Sequence, residues 1–294
     1  MVQGQIVKSI ADLYVVKVGN DPEIACKARG VFRKQGLTPL VGDYVTCTVD
    51  ANGEGRIESI LPRKNFMERP SVANIDRLYL IVSAADPDPV PLMIDRLTAL
   101  AFDREIQPIL VLNKTDLASV DWLLDIYKTV PMPLIRACAA TGEGCDELRE
   151  SLCQSGISVL TGNSGVGKSS LLNCVDPLLS LATGETSKKL GRGKHTTRHT
   201  QLYAMGEGYV ADTPGFSSLD MERVQWIYKE NLIFAFPEFL PFTADCRFAD
   251  CRHMGEKECG VQQAVTRGLV HQSRLDSYRT MYKEADAIKD WQRK

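Results

Sequence analysis

Two nucleotide-site strings stand in this chain in inverted order. Asn113-Lys114-Thr115-Asp116 is an N-K-x-D string of the kind that reads guanine. Downstream of it, Gly162-Asn163-Ser164-Gly165-Val166-Gly167-Lys168-Ser169 is a phosphate-binding G-x-x-x-x-G-K-S loop. In chains that carry both strings the phosphate loop ordinarily comes first. If both serve one nucleotide, the domain that holds them is circularly permuted; otherwise one match is accidental.

The chemistry of each string favours permutation. In the phosphate loop, glycines let backbone N–H groups curl around phosphate oxygens at a helix N-terminus. Lys168 reaches the β- and γ-phosphates, Ser169 offers its hydroxyl to Mg²⁺, and Ser170 follows on the first helical turn. A carboxylate at Asp116 can accept from N1–H and N2–H₂ of guanine, which adenine does not present together. Asn113 is expected on N7 and the Lys114 stem across the base. Alone, N-K-x-D often only starts a helix, with Asp116 as N-cap. Here the apolar run Pro108 to Leu112 delivers it to a strand end, where open α/β sheets place ligands.

Other strand ends extend the set. Cys138-Ala139-Ala140 follows the strand after the guanine string, placing a backbone N–H to bond guanine O6. Tyr209-Val210-Ala211 carries Asp212-Thr213-Pro214-Gly215, with Asp212 for a Mg²⁺-bound water and the Gly215 N–H for the γ-phosphate. Between phosphate loop and D-T-P-G runs Ser187 to His199, basic, glycine-flexible and free of acids, as expected of a switch loop that orders around Mg²⁺ and γ-phosphate. Thr197 is the expected Mg²⁺ ligand in it, with Thr196 second.

The 294 residues divide into three segments. Residues 1–65 read as short strands, Ile6 to Val18, Ile24 to Phe32, Tyr44 to Val49 and Arg56 to Ile60, which fit an OB-type β-barrel. Lys27, Arg29, Arg33, Lys34, Arg63, Lys64 and Arg69, interleaved with Phe32 and Phe66, form either an RNA-tracking face or a solvated barrel surface. Residues 66–220 alternate strands and helices and predict a parallel, doubly wound sheet. Residues 221–294 read as helical, best over Gln225 to Phe236 and Arg274 to Trp291, with Phe234, Phe236, Phe239 and Phe242 as core.

That last segment also holds a candidate metal centre. Cys246, Cys251, His253 and Cys259 form C-x₄-C-x-H-x₅-C, a donor set for one closed, structural, tetrahedral zinc ion. The other reading is unconnected cysteines beside a surface histidine. The remaining six of nine cysteines show no disulfide framework and read as buried thiols of a reducing compartment. A net charge of -2 points to no nucleic acid for the chain as a whole, so any RNA contact must come from local basic patches. No apolar run is long enough to span a bilayer and the first residues are too polar for a secretory signal, so a cytoplasmic protein is expected, and nothing argues for more than a monomer.

Taken together, the guanine string, Cys138-Ala139, the phosphate loop, the switch threonine and D-T-P-G resemble a circularly permuted GTPase. The strings Gly191-Arg192-Gly193-Lys194-His195-Thr196-Thr197 and Pro39-Leu40-Val41-Gly42-Asp43 are similar to those of the RsgA (YjeQ/YloQ) family of bacterial small-subunit-dependent GTPases, over essentially the whole chain. The resemblance implies a multidomain chain: an N-terminal OB barrel, a central α/β permuted P-loop GTPase domain and a C-terminal helical zinc domain. It also implies a GTPase that binds the small ribosomal subunit and its rRNA and acts late in subunit maturation. One departure is Cys138, where many GTPases have serine.

Hydrolysis needs a group to orient water, and the place just after the glycine of D-x-x-G, where Ras-like enzymes carry glutamine, holds Phe216. His195 in the switch loop is the expected substitute; the alternative is that it contacts rRNA phosphate or is solvated. A second function class is a GTP-gated protein-interaction switch unrelated to ribosomes.

Overall fold

The computed structural model of the chain describes residues 1–19, 21–50, 53–68, 70–176, 199–212 and 227–288.

The N-terminal strands are β1 (Val2–Ile10), β2 (Leu13–Lys17), β3 (Ile24–Ala28), β4 (Tyr44–Val49) and β5 (Gly55–Ile60), with the short helix α1 (Gly30–Lys34) after β3. Their pairings run β1–β2–β3–β5–β4 and close through β1–β4, with β3–β5 parallel and the rest antiparallel. The circuit is a closed five-stranded barrel, which leaves no free edge inside it. Its interior is Ile6, Val16, Cys26, Val45, Cys47 and Ile57. The run expected as one strand from Ile6 to Val18 is two strands, because Ala11, at φ 52°, turns the chain so that Ile10 pairs with Leu13. The strand expected from Ile24 to Phe32 gives way to α1 after Ala28.

A hairpin of β6 (Phe66–Glu68) and β7 (Ser71–Ala73) leads into the nucleotide-type sheet. Its elements are β8 (Ile75–Ser83), α2 (Pro91–Asp103), β9 (Gln107–Asn113), α3 (Asp121–Tyr127), β10 (Leu134–Arg136), α4 (Cys145–Leu152), β11 (Gly156–Thr161), α5 (Lys168–Val175), β12 (His199–Met205) and β13 (Gly208–Asp212). The sheet order is β10-β9-β8-β11-β13-β12, parallel except for the β12–β13 pair. The β8 strand is covered on both faces, as central parallel strands are. Leu78 and Leu80 face the α2 side, while Tyr79 and Ile81 face α4 and α5. On its far edge β12 pairs with β1, joining barrel and nucleotide sheet into one continuous sheet.

The C-terminal region consists, among the described residues, of 3-10 turns at Leu232–Ala235 and Pro237–Asp245, then α6 (Gly260–Thr266) and α7 (Gln272–Asp286). The described part of the expected Gln225–Phe236 helix is a turn and a 3-10 segment. Pro237 disfavours helical backbone at Phe236, and Pro241 follows close behind. The helix expected from Arg274 begins two residues earlier, and its described part ends by Asp286. Phe236, Phe239 and Tyr278 pack with ring centroids 5.2 to 5.5 Å apart in a core that also takes in Ala99 of α2. Phe234, expected in that core, is 63% exposed.

Candidate functional site

The phosphate loop joins the carboxyl end of β11 to the first turn of α5. Gly162, Gly165 and Gly167 all have positive φ. At Gly167 no side chain fits: its φ is +93° and an added Cβ would lie 2.3 Å from Asn113 Nδ2. Lys168 folds back over its own loop, its ammonium donating to the carbonyls of Gly162 at 2.6 Å and Asn163 at 2.8 Å. Burial pulls its pKa down from 10.5 to about 8, since those carbonyls do not replace the water it has lost. Ser169 is half-buried, whereas Ser164, Gly165 and Ser170 are exposed at the loop's rim and Val166 is buried beneath it.

The guanine string leaves the sheet at the carboxyl end of β9, two strands away from β11. Asn113 is 1% exposed and works as a tie: its Nδ2 donates to Val166 O at 2.7 Å, and its Oδ1 accepts from Ala139 N at 3.3 Å. One side chain thus pins the guanine string, the phosphate loop and the Cys138-Ala139 loop, and a single Nδ2 proton is left for a base nitrogen. Lys114, at φ 59°, sends its ammonium to Asp86 O. Thr115 Oγ1 is buried with no partner among the described residues. Asp116 is exposed, and Cys138 Sγ–H donates to its Oδ1 at 3.0 Å. Cys138 N–H is engaged by Glu143 O at 2.8 Å and Ala139 N–H by Asn113 Oδ1 at the longer 3.3 Å, so Ala139 N–H is the donor that a guanine O6 can share or draw away.

The β13 strand lies parallel to β11, Ala211 opposite Val159, so the backbone of Asp212 comes out beside the strand that feeds the phosphate loop. His195, Thr196, Thr197, Gly215 and Phe216 lie outside the described residues, as does the Asp212 side chain.

On the barrel, the basic residues of the proposed RNA face are largely engaged at home. Arg63 grips Asp43 with two bonds of 2.6 and 2.7 Å, Arg29 meets Glu58 at 2.9 Å, Lys64 pairs with Asp76 and Lys27 with Glu54 at 3.8 Å. Phe32 is buried in the barrel core and offers no stacking face, while Phe66 lies under the Arg63 guanidinium. Arg69 and the Arg33 side chain fall outside the described residues.

In the C-terminal region the four sequence-picked ligands converge. One donor atom each from Cys246, Cys251, His253 and Cys259 lie within 4.8 Å of one another. His253 Nδ1 is 3.7, 3.6 and 3.3 Å from the three sulfurs in that order. Tetrahedral bonds of about 2.0–2.3 Å span edges of about 3.3–3.8 Å, so the set suits a zinc ion by donor type and its His253-to-sulfur edges match by size. Burial pushes the Cys251 thiol up to about 12 and raises that of Cys259 as well, and two backbone donors at the sulfurs offset part of that cost. Gly260 N–H points at Cys246 Sγ at 3.3 Å, and Gln262 N–H at Cys259 Sγ at 3.5 Å. The turn itself is held by Glu256, whose carboxylate accepts from the backbone N–H of Arg252, Met254 and Gly255. Burial lowers the His253 pKa, favouring the neutral imidazole that a metal requires.

Sequence reasoning missed the tie made by Asn113, the thiol on Asp116 and the Asp86 carbonyl. No local pattern marks any of them.

Comparison with known proteins bears on the same strings. The "RsgA GTPase" family profile matches residues 60–222, and the "RsgA N-terminal domain" profile residues 3–57. A small ribosomal subunit biogenesis GTPase RsgA from Alkaliphilus metalliredigens is 43% identical over 290 residues, covering 97% of this chain and 98% of that one. Its namesake from Geobacillus thermodenitrificans is 41% identical over 95% of each. Among solved structures, YjeQ from Thermotoga maritima aligns at TM-score 0.81 and 37% identity, covering 98% of this chain and 99% of the other. YloQ, described as a circularly permuted GTPase, aligns at 0.79 and 32%, covering 98% and 96%.

Proposed function

This chain belongs to the RsgA family of GTPases and is a GTP hydrolase, and from that premise we propose that it binds the small ribosomal subunit, assists its late maturation and uses hydrolysis to control its own release. The observation that carries the reading is the 2.7 Å bond from Asn113 Nδ2 to Val166 O, which ties the guanine string to the phosphate loop at one mouth although the chain visits them in inverted order. The ribosomal part rests on the relatives, which are named for small-subunit biogenesis.

In this reading Asp116 reads N1–H and N2–H₂, Ala139 N–H bonds O6, and the backbone of Gly162 to Ser169 cradles the phosphates. Lys168 gives up its carbonyl partners for phosphate oxygens and neutralises charge that grows on the bridging oxygen during cleavage. Ser169 and Thr197 are the residues to hold Mg²⁺, which supplies further neutralisation of the β- and γ-phosphates. His195 orients the attacking water, and turnover depends on the subunit partner. Cys246, Cys251, His253 and Cys259 hold one structural zinc. Segments 1–65, 66–220 and 221–294 act as barrel, GTPase and zinc domains of a cytoplasmic monomer. No helix among the described residues is long and apolar enough to cross a membrane.

Turnover of GTP with and without purified small subunits tests the proposal, together with co-sedimentation under a non-hydrolysable GTP analogue at two salt concentrations. Stimulated turnover and salt-sensitive, GTP-dependent co-sedimentation are expected. Neither stimulation nor co-sedimentation would point instead to a GTP-gated switch for a protein partner.

A further inference from the structure

The nucleotide sheet, in the order β10-β9-β8-β11-β13-β12, ends on β12, and a strand in that place offers a row of backbone donors and acceptors to any strand that reaches it. Partner strands add at such edges. Here the barrel's own β1 takes the edge, in the register Lys8↔Gln201, Ser9↔Thr200 and Ile10↔His199.

The register sets the barrel beside the nucleotide site. Gln201 pairs with Lys8 on one side and Asp212 on the other, so a single row crosses from β1 to the acid expected at the Mg²⁺-bound water. The β12–β13 pairing begins at Gln201, which leaves β1 as the ladder partner of Thr200 and His199 among the described residues. His199 stands two positions after Thr197, the threonine expected on Mg²⁺. The barrel strand, rather than β13, therefore holds the first residues of β12.

On its own side β1 is divided. Val2 to Gln5 close the barrel against β4, while Lys8 to Ile10 lie on β12. Between the two parts the β1–β2 register shifts, from Ile6↔Val16 to Lys8↔Val15, and an irregularity of this kind bends a strand and interrupts its pairing. Ala11, at φ 52°, then turns the chain into β2. The outer part of the β1–β2 hairpin, residues 8–15, can thus tighten or fray with β12 while the barrel stays closed.

We propose that the β1–β12 ladder carries the nucleotide state into the barrel: β12, steadied when Asp212 engages Mg²⁺ and γ-phosphate, steadies in turn the outer β1–β2 hairpin. The proposal rests on the reading of Asp212 as part of the Mg²⁺ and γ-phosphate side of the site, and it names how that site is regulated. Coupling of this kind is reciprocal. A contact that holds the hairpin closed raises the affinity for GTP over GDP by the factor with which GTP favours the closed hairpin.

The test is amide hydrogen exchange of the full-length protein with Mg²⁺ and either GDP or a non-hydrolysable GTP analogue. With the analogue, β12 and residues 8–15 are expected to exchange about fivefold or more slowly, the lower end of ordinary coupling between sites, while β4, on the closed side of the barrel, keeps its rate. Slowing of β12 without residues 8–15 overturns the proposal and leaves the reading of Asp212 standing. Equal slowing of residues 8–15 and β4 overturns it too, because a ligand that stabilises the whole barrel uses no particular route. If neither β12 nor the end of β13 responds to the analogue, Asp212 is not on the γ-phosphate side and the proposal falls with that reading.

A second arm breaks the ladder. Hydrogen-bonded and non-hydrogen-bonded pairs alternate along antiparallel strands, so one of Thr200→Pro and Ile10→Pro removes a β1–β12 hydrogen bond whichever way they alternate. That variant is expected to bind GDP within about twofold of the parent, to lose the slowing at residues 8–15 and to drop about fivefold in preference for the analogue over GDP. Parent-like slowing and preference in both variants would rule the ladder out as the route. The exchange comparison on the parent decides the matter even if a proline variant fails to melt cooperatively.

Discussion

Arg274 on α7 meets Asp95 on α2 at 2.6 Å, with both side chains fully enclosed. Glu238 takes the Arg274 Nε–H at 2.7 Å, Tyr127 O–H donates to Asp95 at 2.8 Å, and the guanidinium lies 4.5 Å over the Phe236 ring. Burial works against the charge on Arg274, but the carboxylates of Asp95 and Glu238 outweigh it and keep it protonated. A second α2–α7 clamp, Arg96 to Glu284 at 2.6 and 2.7 Å, lies nearby. The α2 helix follows the loop whose Asp86 carbonyl receives Lys114. The guanine string and the C-terminal region are thus joined through α2, a connection that does not pass through D-T-P-G.

Removing the arginine strands two buried carboxylates. Arg274→Met is expected to destabilise the protein by about 3–5 kcal/mol in urea unfolding. Arg274→Lys should rescue only part of this, because an ammonium cannot fork between Asp95 and Glu238. Replacing the arginine and both acids together by apolar residues of like volume should cost less than Arg274→Met alone. Equal stability of Arg274→Met and parent would mean that the cluster is not enclosed in solution.

The depressed Lys168 pKa gives nucleotide binding a defined alkaline limb. Its folded value near 8 lies below the 10.5 of an ordinary lysine, so burying its charge costs stability below pH 8. That cost is relieved as pH rises from about 8 towards 10.5. Phosphates favour the charged form, so GDP affinity should be level from roughly pH 7 to 8 and then fall, by at most about tenfold per unit. Titrating GDP into the parent and Lys168→Ala across this range checks it. The variant should bind weakly and without that limb.

Stripping the metal should loosen one region and spare another. Chelation, or Cys259→Ser, is expected to release about one zinc per chain and to speed amide exchange at Gly260 and Gln262, whose N–H groups face Cys246 and Cys259 sulfur. Zinc retention should also weaken as pH falls, since the thiols must lose protons to bind. Exchange in β8 and β9 should change little. An absence of stoichiometric metal in protein purified with zinc present would overturn the assignment.

His195→Ala addresses water positioning. GDP affinity should stay near that of the parent while subunit-stimulated GTP turnover falls about 10²–10⁴-fold, the usual range for a lost general base or water-orienting group. Stimulated turnover at the parent rate would remove His195 from the hydrolytic step.

The parts legible in the sequence share one property: their chemistry is local. The phosphate loop shows itself because only glycine suits its positive-φ turns, at Gly167 beside Asn113 above all. The candidate metal-binding cluster shows itself because three cysteines and a histidine fall within fourteen positions, and the structure brings them together. Legibility failed where a residue's role depends on what packs against it. Phe32 reads as a stacking aromatic and is barrel core, while Phe234 reads as core and is exposed. Arg63 and Arg29 read as free cations, though their partners Asp43 and Glu58 lie many positions away.

The sequence by itself determined the kinds of site this protein holds, because backbone cradles, strand-end acids and metal ligands are written in short strings with fixed residue types. It determined the permutation as well, since motif order is plain in the chain. Tertiary structure alone decided how those strings act together. Asn113 reaches Val166 across 53 positions, Cys138 reaches Asp116 across 22, and Arg274 reaches Asp95 across 179. Each of those bonds follows from the order of strands in the sheet and from helices packed on its faces. That order is set by burial summed over the whole chain, so no single stretch of residues records it.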